Sequence, residues 1–246
     1  MSDVNVYGVV RAAAGVEPSE EGVRLVVHRD IAALVSDIDR HHLEAVRVLR
    51  MHWRVLEAVS TSTTVLPVRF GTVMAGDRAV VDDFLEPSHD EILAAIAALA
   101  GKVQLTVKGV YDQDALMTGI VQGSPAIARL REQVSRVPEA AAYYKRIELG
   151  QRVAAEVERA RERDAHEVLE RLRPLALEAR LEPPSTPDGA VNAAFLVEED
   201  RVDAFSEGVS ALSHDLAGRI RLRYVGPLPP YSFTGDTATS KTNAWA

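Results

Sequence analysis

Three arginines, Arg219, Arg221 and Arg223, alternate with Ile220, Leu222 and Tyr224 near the end of the chain. In a β-strand that spacing puts all three guanidinium groups on one face. Such a ladder can dock the carboxylates of a protein partner, because each guanidinium forks onto a carboxylate through parallel hydrogen bonds. The same row also reads as an exposed sheet face that pairs acidic neighbours and discourages edge-to-edge association. A fourth arginine, Arg69, stands inside the apolar run Val65-Leu66-Pro67-Val68-Arg69-Phe70-Gly71-Thr72-Val73. As a strand, this run places Leu66, Val68 and Phe70 on one face and Pro67 with Arg69 on the other. Arg69 is then either an ion-pair partner within the fold or part of a docking surface. Pro67 makes the segment an edge strand, or one that starts at the proline.

The histidines offer less chemistry. His41 and His42 are adjacent, and neighbouring helical residues point about 100° apart, so they do not readily share one metal. They read as solvated residues at a helix start. His52, beside Trp53 and four residues before Leu56, reads as a partly buried structural histidine. His214 and Asp215 are too close in sequence for the carboxylate to orient the imidazole well. No phosphate-cradling loop is present, since Gly101-Lys102-Val103 lacks the required hydroxyl. The dinucleotide fingerprint, the serine elbow and the H-E-x-x-H zinc motif are absent too. The chain has no cysteine, which excludes disulfides, thiolate zinc sites, iron–sulfur clusters and cysteine nucleophiles. No catalytic residue, cofactor-binding residue or metal ligand is expected, and the protein is not expected to be an enzyme.

Composition narrows the class further. The 246 residues carry 28 basic and 36 acidic side chains, a net charge of -8. A nucleic-acid-coating protein is usually basic, and only 5% of residues are aromatic, so stacking on bases is disfavoured. No segment approaches the roughly 18 apolar residues of a membrane span. The longest candidate, Ile92 to Leu99, is short and alanine-rich. The first residues show no basic region or apolar signal core, so a cytoplasmic location is expected.

The hydropathy pattern supplies the elements that must position these residues. Val4–Val10, Val23–His28 and Ile31–Ser36 read as strands, the last two split by Arg29-Asp30. From Leu43 the period changes, and Val46, Leu49, Trp53 and Leu56 recur on one helix face. Asp77–Leu99 is helical with a break near Pro87, and Val103–Gly109 alternates as a half-buried strand. Ser124-Pro125 opens a helix. A longer helix covers Glu139–Leu172, with a mixed charge run at Glu156–Arg163. It is either a solvated helix lying on the body of the protein or part of a helical hairpin that engages a partner. Val191–Val197, Asp200–Leu216 and Arg219–Val225 read as strand, helix and strand. The order predicts an α+β fold of two domains with short, mostly antiparallel sheets and a helical section between or packed on them. The expected division is 1–120, 121–233 and a disordered polar tail over 234–246.

Four segments then carry a resemblance. They are Leu66–Val73, Gly101–Lys108, Val191–Val197 and Gly226-Pro227-Leu228-Pro229-Pro230-Tyr231-Ser232-Phe233. With Val6-Tyr7-Gly8-Val9-Val10, and in this order, they resemble the gas vesicle protein F and L family over residues 4–233. The resemblance implies two α+β domains of ferredoxin-like flavour and a cytosolic accessory protein of gas vesicle formation. It implies binding of the hydrophobic shell protein, gas vesicle protein A, during nucleation or assembly, or a place as a minor vesicle component. It brings no catalytic residues and does not separate the F from the L branch. A soluble acidic partner with free sheet edges could cap the shell protein by strand addition or through a hydrophobic groove. On this reading Arg69, Arg219, Arg221 and Arg223 are the partner-binding candidates, with other gas vesicle proteins as further partners and neither nucleic acid nor membrane among them. The alternative is an α+β barrel enzyme that holds haem or a small molecule, with His52 or Arg69 lining the cavity.

Overall fold

The computed structural model describes residues 2–18, 20–38, 45–138 and 142–234. His41, His42, the expected helix starts at Leu43 and Glu139, and the tail beyond Thr234 lie outside the described residues. The chain forms two compact units, Met1–Gln104 with Gly226–Ala246, and Leu105–Val225. The division therefore differs from the expected 1–120 and 121–233. Both crossing points fall inside strands, where alternation in the sequence carries no mark of a boundary.

The first unit is built on β1 (Val4–Arg11). β2 (Val23–His28) and β3 (Ile31–Asp37) follow as a hairpin, with Arg29 at φ 54° in its turn. Next come α1 (Ala45–Ser60), β4 (Leu66–Pro67) and β5 (Val73–Met74). A short α2 (Asp77–Ala79) runs into a π-helical segment, Val80–Leu85, and α3 spans His89–Leu99. The strand order is β2-β3-β1-β4, with β5 also paired to β1, and all the pairs are antiparallel. Both α1 and α3 pack against β1. That is why β1 is apolar without alternation: a strand covered on both faces has no solvent side. Val4, Val6, Val9 and Val10 are all fully buried.

Two expectations change here. The apolar run at 65–73 is not one strand. Leu66 and Pro67 pair with Val9 and Gly8, and Val73 and Met74 pair with Asn5 and Val4. Between them Arg69-Phe70-Gly71-Thr72 leaves the ladder as a turn. The Thr72 N–H and Oγ1 both donate to the Arg69 carbonyl at 3.2 and 2.8 Å, and Gly71 supplies φ +84°. Arg69 and Phe70 are consequently both exposed instead of facing opposite ways. The second change concerns α1. Its buried arc is His52, Val55, Leu56 and Val59, whereas Val46, Leu49 and Trp53 are 62%, 39% and 37% exposed. At about 100° per residue Leu56 sits on the border of two apolar arcs, and the helix buries the other one.

His52 is fully buried, deeper than expected. The rings of Tyr7 and Phe70 lie 5.5 Å away and that of Tyr231 lies 6.3 Å away. Burial pushes its pKa down to about 4, so the imidazole is neutral in the folded protein.

The second unit runs β6 (Lys102–Tyr111), α4 (Gln113–Gly123), α5 (Pro125–Ser135), α6 (Tyr143–Leu172), β7 (Glu178–Leu181), β8 (Gly189–Glu198), α7 (Val202–Asp215) and β9 (Ile220–Leu228). The strand order β7-β8-β6-β9 is that of a ferredoxin-like split β-α-β. Local side-chain caps start α4 and α5. The Asp112 carboxylate accepts from the Ala115 N–H at 2.9 Å, and Ser124 caps α5 ahead of Pro125. Gly109 permits a tight core, since a Cβ there would sit 2.7 Å from Val191 Cγ1.

Two measurements check this packing. At Gly8 an added Cβ would meet the Leu66 carbonyl oxygen at 2.9 Å. Gly8→Ala should therefore cost about 1–3 kcal/mol in urea unfolding. Gly150→Ala, on α6 with nothing within 4 Å, should instead gain up to ~1 kcal/mol. For His52, the unfolded imidazole takes up its proton near pH 6.5 and the folded one only near 4. Its contribution is thus intact above pH 6.5 and lost as the pH falls toward 4. The unfolding temperature should drop over that window, and His52→Leu should flatten the drop.

Candidate functional site

The exposed arc of α1 carries Val46, Leu49 and Trp53 at steps of three and four residues, so the three side chains form one stripe. Trp53 lies against Tyr231, with ring centroids 5.5 Å apart. The Tyr231 hydroxyl in turn accepts from the Phe70 N–H at 2.7 Å, and Phe70 is 36% exposed. The result is a continuous apolar strip over α1, the 69–72 turn and the Tyr231–Phe233 turn, with Arg69 at its border. Sequence reasoning put Val46, Leu49, Trp53 and Leu56 on one helix face and used Tyr231 only as part of the segment 226–233. Tyr231 and Phe70 are 161 residues apart, and no periodicity reports such a contact.

The arginine ladder of the second unit is divided. Arg219 precedes β9 and turns to α6. Its guanidinium pairs with Asp164 and, at 2.9 Å, with Glu167. Asp164 is buried and also accepts from the Tyr111 hydroxyl at 2.6 Å. Burial and the Asp164 carboxylate push the Tyr111 hydroxyl above its ordinary range, so it remains a donor. Arg219 is thus a tether between β9 and α6. Arg221 and Arg223 are exposed, lie on one face of the edge strand β9, and have no ion-pair partner among the described residues. On its opposite face, Tyr224 approaches Phe205 of α7, ring centroids 6.3 Å apart. Asp215 pairs with Arg171 at 2.7 Å and does not orient His214.

Helix α6 divides along its length. Ala160, Asp164, Val168 and Leu172 recur every four residues and are buried. Upstream, Tyr143, Tyr144 and Ile147 are 61%, 83% and 45% exposed. Within the charge run, Arg159 pairs with Glu156 and Arg161 reaches the Gly189 carbonyl at 3.0 Å. Among the described residues no three histidines or carboxylates gather as a metal site, and no helix is long and apolar enough to cross a membrane. His52 is sealed among aromatic rings and Arg69 stands in an exposed turn, so neither lines an open cavity.

The comparisons with known proteins agree with this architecture. The family model described as "Gas vesicle synthesis protein GvpL/GvpF" matches residues 4–235. Gas vesicle protein F of Streptomyces sp. (strain CB03234) is 34% identical over 241 residues, covering 93% of this chain and 98% of the relative. Gas vesicle protein L of the same strain is 30% identical over 258 residues, with 94% and 92% covered. The crystal structure of the gas vesicle protein GvpF from Anabaena sp. PCC7120 superposes with a TM-score of 0.76 at 25% identity, covering 95% of this chain and 98% of that one. These relatives are named as gas vesicle proteins and none of them as an enzyme, which does not favour the haem- or substrate-holding barrel. Match, coverage and fold together place the chain in the gas vesicle synthesis protein GvpL/GvpF family.

Proposed function

We propose that this gas-vesicle-related protein is an assembly factor that binds gas vesicle protein A, acts in the cytoplasm at the growing vesicle, and can remain there as a minor component. The observation that carries the reading is the exposed apolar strip of Val46, Leu49, Trp53, Phe70 and Tyr231. A shell subunit built to face a gas space presents apolar surface and sheet edges before it assembles, and both invite aggregation. An apolar strip bordered by Arg69 can cover such a surface. The edge strand β9, with Arg221 and Arg223 exposed on one face, offers a second contact by strand addition or by docking carboxylates. The net charge of -8 keeps the complex dispersed. Arg219, already committed to Asp164 and Glu167, is left out of the binding set.

Co-expression with the proteins of a gas vesicle cluster tests the reading. Selective recovery of gas vesicle protein A is expected. Recovery of other cluster proteins without it, or of none by folded bait, would overturn the proposal. Leu49→Glu with Trp53→Glu should reduce the recovery by about tenfold or more while the protein stays folded, because both residues are exposed. Charge reversal at Arg221 and Arg223 should weaken binding with the unfolding temperature nearly unchanged. Unaltered recovery would reduce that pair to a solvated face.

A further inference from the structure

The first two turns of α1 are less deeply buried than the later ones. Val48 and Met51 point inward yet are only half-buried, unlike Val55 and Val59 further along. Beneath them lies a cleft of about 870 Å³. Its floor is polar. Asn5 is 1% exposed, and neither its side-chain nitrogen nor its oxygen has a hydrogen-bond partner. Beside it the Tyr7 and Ser36 hydroxyls bond to each other at 2.8 Å. The α1 wall carries Arg47, Arg50 and Arg54, all exposed and without an ion-pair partner among the described residues. Glu20 and Glu21 line the cleft from the turn before β2, and Asp37, paired with Arg24 at 2.9 Å, lines it from the end of β3.

A buried amide with both halves unpaired is costly, and proteins retain such groups where a ligand completes them. From these groups we infer that the cleft is a binding site for an extended acidic peptide segment of a partner protein. Three features select that class. Arg47 to Arg54 covers about 10 Å along the helix, too long for one carboxylate or phosphate. Carboxylates at alternate positions of an extended chain are about 6.8 Å apart and match such a row. The Asn5 carboxamide offers one donor and one acceptor side by side, the complement of a peptide group, whereas a phosphate would engage the donor alone. Glu20 and Glu21 repel a compact polyanion and confine the ligand's negative charge to the α1 side. The site occupies a different arc of α1 from the apolar strip and does not depend on which gas vesicle protein that strip binds.

The test is fluorescence anisotropy of the full chain with a labelled nonapeptide of alternating aspartate and valine. Saturable binding that weakens with added salt is expected, together with no binding of the lysine–valine counterpart. Arg47→Glu with Arg50→Glu should weaken it by about tenfold or more. Asn5→Leu should also lose the peptide but raise the unfolding temperature, since it removes an unsatisfied buried amide. A neutral Leu49→Ser, Trp53→Ser variant should bind the peptide normally, which separates this site from the apolar strip. Absence of saturable binding, equal binding by the arginine variant, or tighter binding of ATP than of the peptide would overturn the assignment.

Discussion

Gly8 and the strand around it set the terms for the first unit. β1 pairs with β3 along one side and with β4 and β5 along the other, while α1 and α3 cover its faces. A side chain at Gly8 would strike the Leu66 carbonyl, Val65 and Leu56 together. The close approach holds β4 against β1 and α1 against both. With β4 and β5 both fixed to β1, the four residues between them have to leave the sheet, and Phe70 reaches the surface as a result. The apolar strip is therefore a by-product of how tightly β1 is enclosed. Tyr231 completes the arrangement, since its hydroxyl takes the Phe70 N–H that the interrupted ladder leaves unpaired.

The second unit depends on a different device. Asp164 is buried on α6, and a carboxylate in that position needs partners on several sides. Tyr111 from the end of β6 and Arg219 from the start of β9 supply them. One acidic group thereby fixes two strands and a helix, and it explains why the first arginine of the alternating row reaches across to α6 while the next two pair with nothing among the described residues.

Elements with a strong local pattern were legible in the sequence. β2 has the limits that its β-branched run implies, and the α7 stripe of Phe205, Val209 and Leu212 is buried as expected; β6 covers Val103 to Gly109 with one or two residues more at each end, but it is not half-buried, since Gln104 and Thr106 are buried along with Leu105 and Val107. The resemblance to the family was legible too, because it rests on segments spread over nearly the whole chain. Long-range choices were hidden. Two apolar arcs compete on α1, and which one is buried depends on the sheet beneath. β7 is only four residues, Glu178–Leu181, too short for its charged–apolar alternation to mark a strand. The fate of Arg219 depended on a carboxylate 55 residues away.

The uneven support of α6 has a dynamic consequence. Its last three turns are anchored by a buried residue in every turn, while the turns around Tyr143 to Gly150 have mostly solvent around them and a glycine among them. Helical turns without tertiary contacts rest on marginal local propensity. The leading end of α6, tied to α5 where Lys145 donates to the Gln133 Oε1 at 3.2 Å, should therefore exchange its amide hydrogens sooner than the turns near Val168. Tyr143 and Tyr144, 61% and 83% exposed, thus ride on the least supported turns of the helix.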